Sequence, residues 1–491
     1  MKQYYLGVDL GTTAVKVVLF DETGMAVCEA SQELSLLYPN PGQIEQSPYD
    51  WYETPCQLIR EVCRDCMPGS VKAIGISSQG ISIVPVDESF EPLSNGISWL
   101  DIRADRELEE MLQVMPEKQW FAITGKHPST SYSLPKLLWL KKNQSALFEK
   151  AHMFLMPLDY LTARLCGNTV TDATMAGGTM LYNLQEKAWS KKICQAFGIP
   201  QEKLPDILPT TALAGWMNEE SKKIAGLTGD IMVAVGAQDQ KIAALGAGIA
   251  TGVVTMSLGT AGAMEFLCEN ESEVLPSFSF DTFDQVSYVL EGCINTFGAA
   301  IKWARDHVFK GLSYREMDAL AEQAPIGSGG VRFYPHLSGV STPHYGEELR
   351  AGWVGMTLET DRGCLIRSLY EGLACEVRMN VEAAKRAGAN VEKLRIFGGS
   401  SKSDILCQIL SDVTGLPVEA MAFTEIAAFG AAKVANICHN REKKIDSASQ
   451  FCFPNQVRNY CPNAYEAEVL YRRYIRKDDI TFGRREQDRL C

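Results

Sequence analysis

Asp239 is the residue in this sequence whose type and setting point most directly to chemistry. It follows a short apolar stretch at residues 231–235 and precedes small residues at 241–247 that are typical of a helix. A carboxylate at such a strand–helix junction can accept the proton of an attacking hydroxyl group. It can equally cap the helix by accepting hydrogen bonds from its first backbone N–H groups, so both roles stay open at this point.

Two Gly-Thr turns, about half the chain apart, form the second chemical feature. Each turn lies between two β-prone stretches. The turn residues are Gly11, Thr12 and Thr13 in the first copy and Gly259 and Thr260 in the second. Such turns can direct several backbone N–H groups and a hydroxyl at one anion, and glycine lets the anion approach closely. One copy alone is usually a hairpin tip, but two copies predict a pair of phosphate-binding loops, with Lys16 adding charge beside the first.

A third glycine turn lies near residue 400. Residues 394–397 have a strand-like pattern, and a helix-like stretch runs from 403 to 414. A junction of strand, glycine pair and helix can hold a flat ring or a phosphate against bare backbone. The candidate residues of this junction are Gly398, Gly399, Ser400 and Ser403.

Asp9 directly precedes the first Gly-Thr turn and is the candidate metal ligand. A single carboxylate can hold Mg²⁺ through water, because this ion keeps several of its bound waters. The alternative role of Asp9 is to stabilise the turn. Phosphoryl transfer needs little from a protein beyond phosphate cradles, a metal ion and one well-placed carboxylate, and these residues would supply all of them.

Two competing nucleotide motifs are excluded. A P-loop needs serine or threonine after its lysine, but Gly125 and Lys126 are followed by His127. Gly246 and Gly248 lack the correctly spaced third glycine of a dinucleotide-binding fingerprint.

The candidate residues need strands and helices to position them. Residues 71–76 and 231–235 have the pattern of buried strands, whereas 133–143 and 364–387 carry apolar residues at helical spacing. We expect Ser133 to be the N-cap of the first of these helices.

The repeated Gly-Thr turn predicts an α/β fold of two related halves. We place the first domain at residues 1–240 and the second at residues 241–491. No Pro/Ser-rich linker separates the halves, so we expect short connections around a cleft, where ligands commonly bind.

Composition excludes several classes of protein. The 491 residues are 46% hydrophobic and 22% charged, which is ordinary for globular domains and unlike a disordered chain. The formal net charge of -13 disfavours nucleic acid and anionic membrane partners. The 15 cysteines are scattered and odd in number, and the first residues lack the apolar stretch of a signal peptide. We therefore expect a cytoplasmic protein with reduced, mostly buried thiols.

Taken together, these motifs resemble the FGGY carbohydrate kinase family, within the superfamily of actin, hexokinase and the heat-shock chaperone ATPases. The two Gly-Thr turns with Lys16 match the phosphate motifs of that family, and the glycine pair at 398–399 resembles its adenosine motif. Residues 131–143, with Lys136 and Trp139, fit its N-terminal signature. The resemblance implies two ribonuclease-H-like domains of the actin-like ATPase type around a central cleft, with ATP and Mg²⁺ as cofactors.

The resemblance also implies residue roles. Asp239 would be the catalytic base, and Gly298 would contact the nucleotide. The residues implied on the sugar side are Gln79, Trp99, Asp101, Arg103, Asp239 and Gln240.

Departures from the family pattern bear on the substrate. Xylulokinases typically carry Gln-Met-His-Gly where this chain has Gln-Gly-Ile-Ser at 79–82, and the glycerol contacts of glycerol kinases align with Gly80, Ile81 and Ser131. The loss of these three glycerol contacts outweighs the retained Gln240, and Gly80 would also leave room for a bulkier substrate. We therefore favour a ketopentose such as xylulose, with glycerol or another polyol as the alternative.

A nucleotide-switched assembly or chaperone ATPase is the alternative from another class, since it would share the phosphate loops. The sugar-side cluster argues against it. The sequence shows no interface, so a homodimer is only one of the possible oligomeric states.

Overall fold

The computed structural model describes residues 2–272, 274–282, 285–344, 346, 348–444, 451, 457–463 and 465–475. The chain divides into two compact units. The first comprises Met1–Gly248, Pro276–Val289 and Glu425–Pro454, and the second comprises Ile249–Leu275, Leu290–Thr424 and Asn455–Cys491. Each unit has its own hydrophobic core.

Strands and helices are interspersed along the chain as far as residue 248. The strands are β1 (Tyr4–Leu10), β2 (Ala14–Asp21), β3 (Ala26–Glu33), β4 (Glu45–Gln46), β5 (Val71–Ser78), β6 (Val84–Val86), β7 (Gly96–Ile97), β8 (Met153–Leu155), β9 (Val170–Thr171), β10 (Tyr182–Asn183), β11 (Ala188–Trp189), β12 (Asp206–Ile207), β13 (Leu213–Trp216), β14 (Met232–Ala234) and β15 (Ala237–Gln238). The helices are α1 (Pro48–Val62), α2 (Asp105–Val114), α3 (Glu117–Thr124), α4 (Ser133–Asn143), α5 (Ser145–Lys150), α6 (Pro157–Cys166), α7 (Ala173–Gly177), α8 (Lys191–Phe197), α9 (Glu219–Ala225) and α10 (Asp239–Gly246).

The remainder of the chain begins with a strand hairpin. The strands are β16 (Gly252–Leu258), β17 (Gly262–Cys268), β18 (Ser277–Thr282), β19 (Gln285–Ile294), β20 (Arg332–Tyr334), β21 (Gly352–Val354), β22 (Val391–Phe397), β23 (Val418–Met421) and β24 (Val457–Tyr460). The helices are α11 (Gly298–Trp303), α12 (Tyr314–Gln323), α13 (Arg362–Arg386), α14 (Asp404–Thr414), α15 (Ile426–Glu442) and α16 (Tyr465–Tyr474).

The first unit is built on a mixed sheet in the order β13-β14-β5-β1-β2-β3, with β15 also paired to β5. Strands β1, β2 and β3 form an antiparallel meander, whereas β5 runs parallel to β1, β14 and β15. In this register Leu10 lies opposite Ser78, and Ser78 lies opposite Gln238. The C-terminal ends of β1, β5 and β15 therefore meet at one edge of the sheet, which is where ligands bind in many α/β folds.

The second unit repeats this arrangement. Its sheet includes, in this order, β19, β17, β16, β22, β23 and β24. Strands β16 and β17 are antiparallel, and β22 runs parallel to β16, as β5 does to β1. The predicted α/β class and the predicted duplication are confirmed by these two sheets.

Helix α15 of the first unit packs directly on strands β1 and β5. A Cβ atom added at Gly7 would lie 1.9 Å from the Ala428 carbonyl oxygen, and one added at Gly75 would lie 1.9 Å from the Ala431 carbonyl oxygen. Only glycine permits so close an approach between a strand and a helix. These two glycines therefore fix the position of α15 and of Glu425, which immediately precedes it.

Helix α4 confirms the helix predicted at residues 133–143, and α13 corresponds to the one predicted at 364–387. The expectation that Ser133 is an N-cap is wrong, because Ser133 is the first helical residue. Its hydroxyl instead donates to the Ile81 carbonyl (3.0 Å) and so ties α4 to the loop after β5.

The cysteines of the described residues are free, and most of them are buried, as predicted. Burial raises the pKa of both Cys63 and Cys66, so these thiols stay protonated and act as packing groups. Within the described ranges, no group of three or more histidine, cysteine or acidic side chains is placed to hold a metal. In the same part of the chain, no helix has the length and apolar character needed to span a bilayer.

Candidate active site

The first Gly-Thr turn, between β1 and β2, is the centre of a partly buried polar network. The Trp99 indole N–H donates to Thr12 Oγ1 (2.9 Å), and this hydroxyl donates to Gln79 Oε1 (3.2 Å). The Gln79 amide donates to Gln46 Oε1 (2.9 Å), whose own amide donates to the Thr12 carbonyl (2.8 Å). The structure thus joins one residue of the predicted phosphate loop to two residues predicted for the sugar side. Gln46, which the sequence did not mark, completes the network.

Gly11 and Thr13 hold the turn in place. The Gly11 N–H donates to the Ala14 carbonyl (3.0 Å), and a Cβ added at Gly11 would lie 3.0 Å from the same oxygen. The Thr13 carbonyl accepts a hydrogen bond from the Leu34 N–H (2.8 Å). The backbone of the turn is therefore fixed on both sides of Thr12.

Asp9 is half-buried and lies near the end of β1. Its Oδ1 accepts a hydrogen bond from the Ser77 hydroxyl on β5 (2.7 Å), and its cross-strand partner on β2 is Lys16. Burial raises the pKa of Asp9, while the Ser77 hydrogen bond and the Lys16 charge oppose the rise. A carboxylate with one hydroxyl partner has lone pairs left to accept from a Mg²⁺-bound water.

Lys16, predicted to add charge beside the phosphate loop, forms an ion pair with Glu425 (Nζ to Oε2, 2.6 Å). The Lys16 side chain is 42% exposed and that of Glu425 is 18% exposed. Because the lysine is reached by solvent, an anion can compete with Glu425 for it.

Asp101 and Arg103 form a buried ion pair. Arg103 donates to Asp101 Oδ2 (2.7 Å) and to Glu45 Oε1 (2.8 Å), and its guanidinium lies 4.9 Å from the centre of the Trp139 ring. Burial opposes the Arg103 charge, but the hydrogen bonds to Asp101 and Glu45 outweigh it and raise the pKa. Asp101 also accepts from the Ile44 N–H (2.6 Å). The pair is therefore buried and is not a surface ion pair.

Asp239 is the first residue of α10, and the preceding residue, Gln238, occupies the capping position. The Gln240 N–H donates to Asp239 Oδ1 (2.7 Å). Since β15 ends at Gln238 and β5 ends at Ser78, Asp239 and Gln79 each follow a strand at the same sheet edge. The structure therefore places the predicted base beside the polar network.

The space beside Gly80 is occupied, so the expectation of room for a bulkier substrate there is wrong. A Cβ added at Gly80 would lie 3.2 Å from both Cγ and Nε2 of Gln238. The next residue, Ile81, has a φ of 60°, which is unfavourable for a β-branched residue. Its side chain packs on Gly178, where an added Cβ would lie 2.4 Å from Ile81 Cγ2.

Lys136 organises the loop that precedes α4. Its Nζ donates to the carbonyls of Thr130 and Ser131 (2.6 Å each) and of Tyr132 (3.3 Å). The lysine is fully buried, and burial lowers its pKa to about 7. Family resemblance marked this lysine, but only the structure shows that it fixes Ser131, one of the positions that align with a glycerol contact.

In the second unit, the two remaining glycine turns lie side by side. Strands β16 and β22 are parallel, with Ser257 opposite Phe397, so the turns that follow them are adjacent. Gly398 has a φ of 100°, and a Cβ added there would lie 3.0 Å from the Leu258 carbonyl oxygen. Glycine is required here both by the backbone conformation and by the close contact.

Gly298 lies against the second Gly-Thr turn. Its N–H donates to the Gly259 carbonyl (3.0 Å), and a Cβ added at Gly298 would lie 2.4 Å from that oxygen. The Phe297 N–H donates to the Thr260 carbonyl (3.0 Å) in the same way. The start of α11 is therefore part of the second loop.

A cavity of about 1280 Å³ opens at these turns within the second unit. It is large enough for a nucleotide. The predicted nucleotide-binding residues that line it are Gly259, Thr260, Gly298, Gly399, Ser400 and Ser403. Gly398, predicted with them, does not line this cavity; it lies against Leu258 and lines a separate cavity of about 290 Å³.

Helices α11 and α12 provide cavity residues that sequence reasoning missed. Trp303 and Tyr314 offer aromatic surface, and Asp318 accepts a hydrogen bond from the Tyr370 hydroxyl (2.8 Å). Burial raises the pKa of Asp318. Trp303 follows Gly298 in the same helix, so a local sequence motif could have included it. The sequence of α12 gives no local signal that its residues line a cavity.

Comparison with known proteins gives the same picture. The sequence pattern described as FGGY family of carbohydrate kinases, N-terminal domain, matches residues 4–246, and that of the C-terminal domain matches residues 254–438. The chain is 28% identical to the xylulose kinase of Bacillus subtilis over 462 residues, covering 91% of this chain and 92% of the relative. It is 30% identical to the glycerol kinase of Thermococcus onnurineus over 455 residues, covering 89% of each chain.

Among solved structures, a xyloylose kinase from Brucella ovis superposes with a TM-score of 0.88 at 27% identity. The match covers 96% of this chain and 98% of that one. The expected actin-like ATPase fold and the resemblance drawn from the motifs are confirmed by these matches.

Proposed function

The chain belongs to the FGGY family of carbohydrate kinases, and we propose that its acceptor is a short sugar, with a ketopentose such as xylulose favoured. ATP is the phosphoryl donor. We assign the acceptor site to the predicted first domain, residues 1–240, and the nucleotide site to the second, residues 241–491. The protein would act in the cytoplasm, without nucleic acid or membrane.

The observation that carries the proposal is the position of Asp239 at the sheet edge next to Gln79. Asp239 takes the proton from the sugar hydroxyl while the oxygen of that hydroxyl attacks the γ-phosphorus of ATP. The bond from that phosphorus to the bridging oxygen breaks, and ADP leaves. Trp99 offers an apolar face to sugar C–H groups, while Gln79 and Gln240 offer amide groups to hydroxyls.

The nucleotide would be held by the cavity residues Gly259, Thr260, Gly298, Gly399, Ser400 and Ser403. Gly398 would hold the glycine turn in place through its close contact with Leu258. Residues Gly11, Thr12, Thr13 and Lys16 would contact phosphate oxygens from the first turn. Backbone N–H groups at such turns bind anions without needing a large net positive charge.

Asp9 fits the requirement of a magnesium site. The residue is half-buried, its carboxylate accepts a hydrogen bond from the Ser77 hydroxyl, and it lies two residues before Gly11 of the first Gly-Thr turn. Mg²⁺ bound there through water would neutralise charge on the phosphates during transfer. Asp9 would orient the bound water, and Ser77 would keep the carboxylate in place.

A ketopentose is favoured over glycerol by three positions. Gly80, Ile81 and Ser131 stand where glycerol kinases place two charged side chains and a tyrosine, so polar contacts to glycerol are lost. Gln240 is retained. The 30% identity to a glycerol kinase keeps glycerol or another polyol as the second candidate.

A coupled ADP-release assay across ketopentoses, tetritols, glycerol and sugar acids tests the proposal. We expect ADP release that depends on the acceptor and is highest with a ketopentose. Highest turnover with glycerol would reverse the substrate ranking. ATP turnover that is independent of every acceptor, or nucleotide-driven filaments, would support the assembly or chaperone ATPase instead.

A further inference from the structure

Gln238 is placed to contact a ligand that lies between the loop after β5 and the start of α10. It is the last residue of β15, lies opposite Ser78 and directly precedes Asp239. Its backbone N–H is held by the Thr174 hydroxyl (3.0 Å), so the start of its side chain is fixed. The residue itself is only partly buried.

The side chain of Gln238 occupies the space that a side chain at position 80 would fill. An added Cβ at Gly80 would meet Cγ and Nε2 of Gln238 at 3.2 Å each, which is tighter than ordinary contact. Gly80 follows Gln79, a member of the polar network. The Gln238 amide therefore reaches the sugar side from the end of β15, in place of a side chain on the loop.

The Gln238 amide has an acceptor that the protein leaves unused. Its Oε1 is shielded from solvent, and no hydrogen-bond partner for it is found among the described residues. Buried polar atoms in native proteins nearly always have a partner, and one without a partner is costly. A hydroxyl group of a bound acceptor, reached after a small rotation of the side chain, would satisfy it.

We propose that Gln238 is a specificity-determining residue that hydrogen-bonds a hydroxyl of the sugar or polyol, in a position made available by Gly80. The inference rests on the proposed kinase function. It adds one contact to the acceptor site and assigns no proton transfer to Gln238.

The test compares Gln238→Met with the native enzyme, using the best acceptor of the panel and ATP as the two varied substrates. Methionine keeps the volume of glutamine and removes the amide. We expect the KM for the acceptor to rise at least tenfold, with an unchanged KM for ATP and an unchanged thermal midpoint. Gln113→Ala, in an exposed position of α2, is the control and should behave as the native enzyme.

A second variant tests the role of Gly80. The Gly80→Ala methyl group would displace the Gln238 side chain, so we expect it to raise the acceptor KM as Gln238→Met does. The double variant should be no worse than either single one, because both remove the same contact. Fully additive effects would contradict the shared contact.

The outcomes separate this inference from the proposed function. If the native enzyme phosphorylates no acceptor of the panel, the kinase proposal fails, and Gln238 fails with it. If the native enzyme is active and Gln238→Met keeps the native acceptor KM, only the role of Gln238 is wrong. A parallel loss of ATP binding or of thermal stability would show a structural role and overturn the inference.

Discussion

Three glycines proposed for the nucleotide site differ in what surrounds them. Gly298 and Gly398 each lie against a backbone carbonyl, so a side chain at either would push the loops apart. Gly399 lines the cavity, and no atom lies within 4 Å of where its Cβ would be. A side chain at Gly399 would therefore occupy ligand space without disturbing the fold.

Gly399→Ala should raise the KM for ATP by about tenfold while leaving the thermal midpoint unchanged, because one methyl group in a fitted site has an effect of that order. Steady-state kinetics with varied ATP and differential scanning calorimetry provide the two readouts. Gly352→Ala, which also has no atom within 4 Å but lies on β21, is the matched control. Native ATP kinetics in Gly399→Ala would show that the nucleotide does not lie against this backbone.

For single residues, the sequence indicated which side chains are candidates for chemistry but not which residues contact them. The position of Asp239 after a strand follows from its apolar neighbours, and the structure agrees. The Gln46 amide and the Gln238 side chain could not be found in this way, since their contacts with Thr12 and Gly80 join distant parts of the chain. The N-cap expected at Ser133 failed because its hydroxyl has a tertiary partner, the Ile81 carbonyl.

At the scale of elements, the packing of α15 on β1 and β5 supports the edge that carries the site. The contact leaves no space for a methyl group at Gly7 or Gly75. The same helix is preceded by Glu425, the partner of Lys16. A shift of α15 would therefore disturb both the core and the partner of Lys16 beside the first Gly-Thr turn.

Gly75→Ala should lower the free energy of unfolding by about 3 kcal/mol or more, because overpacking a rigid contact typically costs 1–3 kcal/mol and this overlap is severe. Urea unfolding followed by circular dichroism measures the change. Gly352→Ala serves again as the control and should unfold as the native protein does. Equal midpoints for both variants would mean that α15 moves away at little cost.

A second contact between elements joins α13 to α16 and is sensitive to pH. The Tyr474 hydroxyl donates to Glu376 Oε1 (2.8 Å), and His336 Nε2 lies 3.7 Å from the same oxygen. Burial raises the pKa of Glu376 to about 7 and lowers the pKa of His336 to about 4. At neutral pH the histidine is therefore uncharged and does not stabilise the carboxylate.

Glu376 should make the protein less stable as pH rises from about 4.5 to about 7. In this range the unfolded chain has released the proton of Glu376, whereas the folded chain still holds it, so folding is favoured at the acidic end. The contribution is up to ~3 kcal/mol across the interval. His336 contributes the opposite slope, because its lowered pKa favours folding as pH rises, so the native protein must be compared directly with Glu376→Gln. Thermal unfolding at several pH values should show that the stability of the native protein relative to Glu376→Gln falls as pH rises over this range, and a difference that does not change with pH would contradict the prediction.

Local patterns predict the elements themselves well. Helix α4 and the hairpins around both Gly-Thr turns follow from apolar spacing and turn residues. Strand order does not follow in the same way, because the parallel pairing of β1 with β5 and of β16 with β22 depends on distant segments. The duplicated Gly-Thr turn was the only signal in the sequence that the two sheets share this strand arrangement.

In the whole molecule, the duplication describes the fold of both units, whereas the net charge bears on the binding of ATP. Each unit carries one antiparallel hairpin with a Gly-Thr turn and one parallel strand beside it. The net charge of -13 gives no general attraction for ATP. The positive groups must therefore act locally. Besides Lys16 they include three that line the cavity of the second unit, namely Lys302, Arg315 and Lys402.

Residues 276–289 and 425–454 belong to the first unit, although the second unit begins earlier in the chain, at Ile249. This arrangement carries no local signal in composition or periodicity. Helix α15 belongs to the first unit through contacts of Ala428 and Ala431 with glycines about 350 residues or more earlier, which no local pattern encodes.

The role of Asp239 as the catalytic base is tested by measuring phosphoryl transfer from ATP to the best acceptor with the variant Asp239→Asn. The variant keeps the shape of the side chain and removes the proton acceptor, so we expect kcat to fall by about 10²–10⁴-fold. ATP binding, measured by calorimetry, should be unchanged, and Asp230→Asn at an exposed position should be fully active. Native turnover by Asp239→Asn would contradict the assignment of Asp239 as the base.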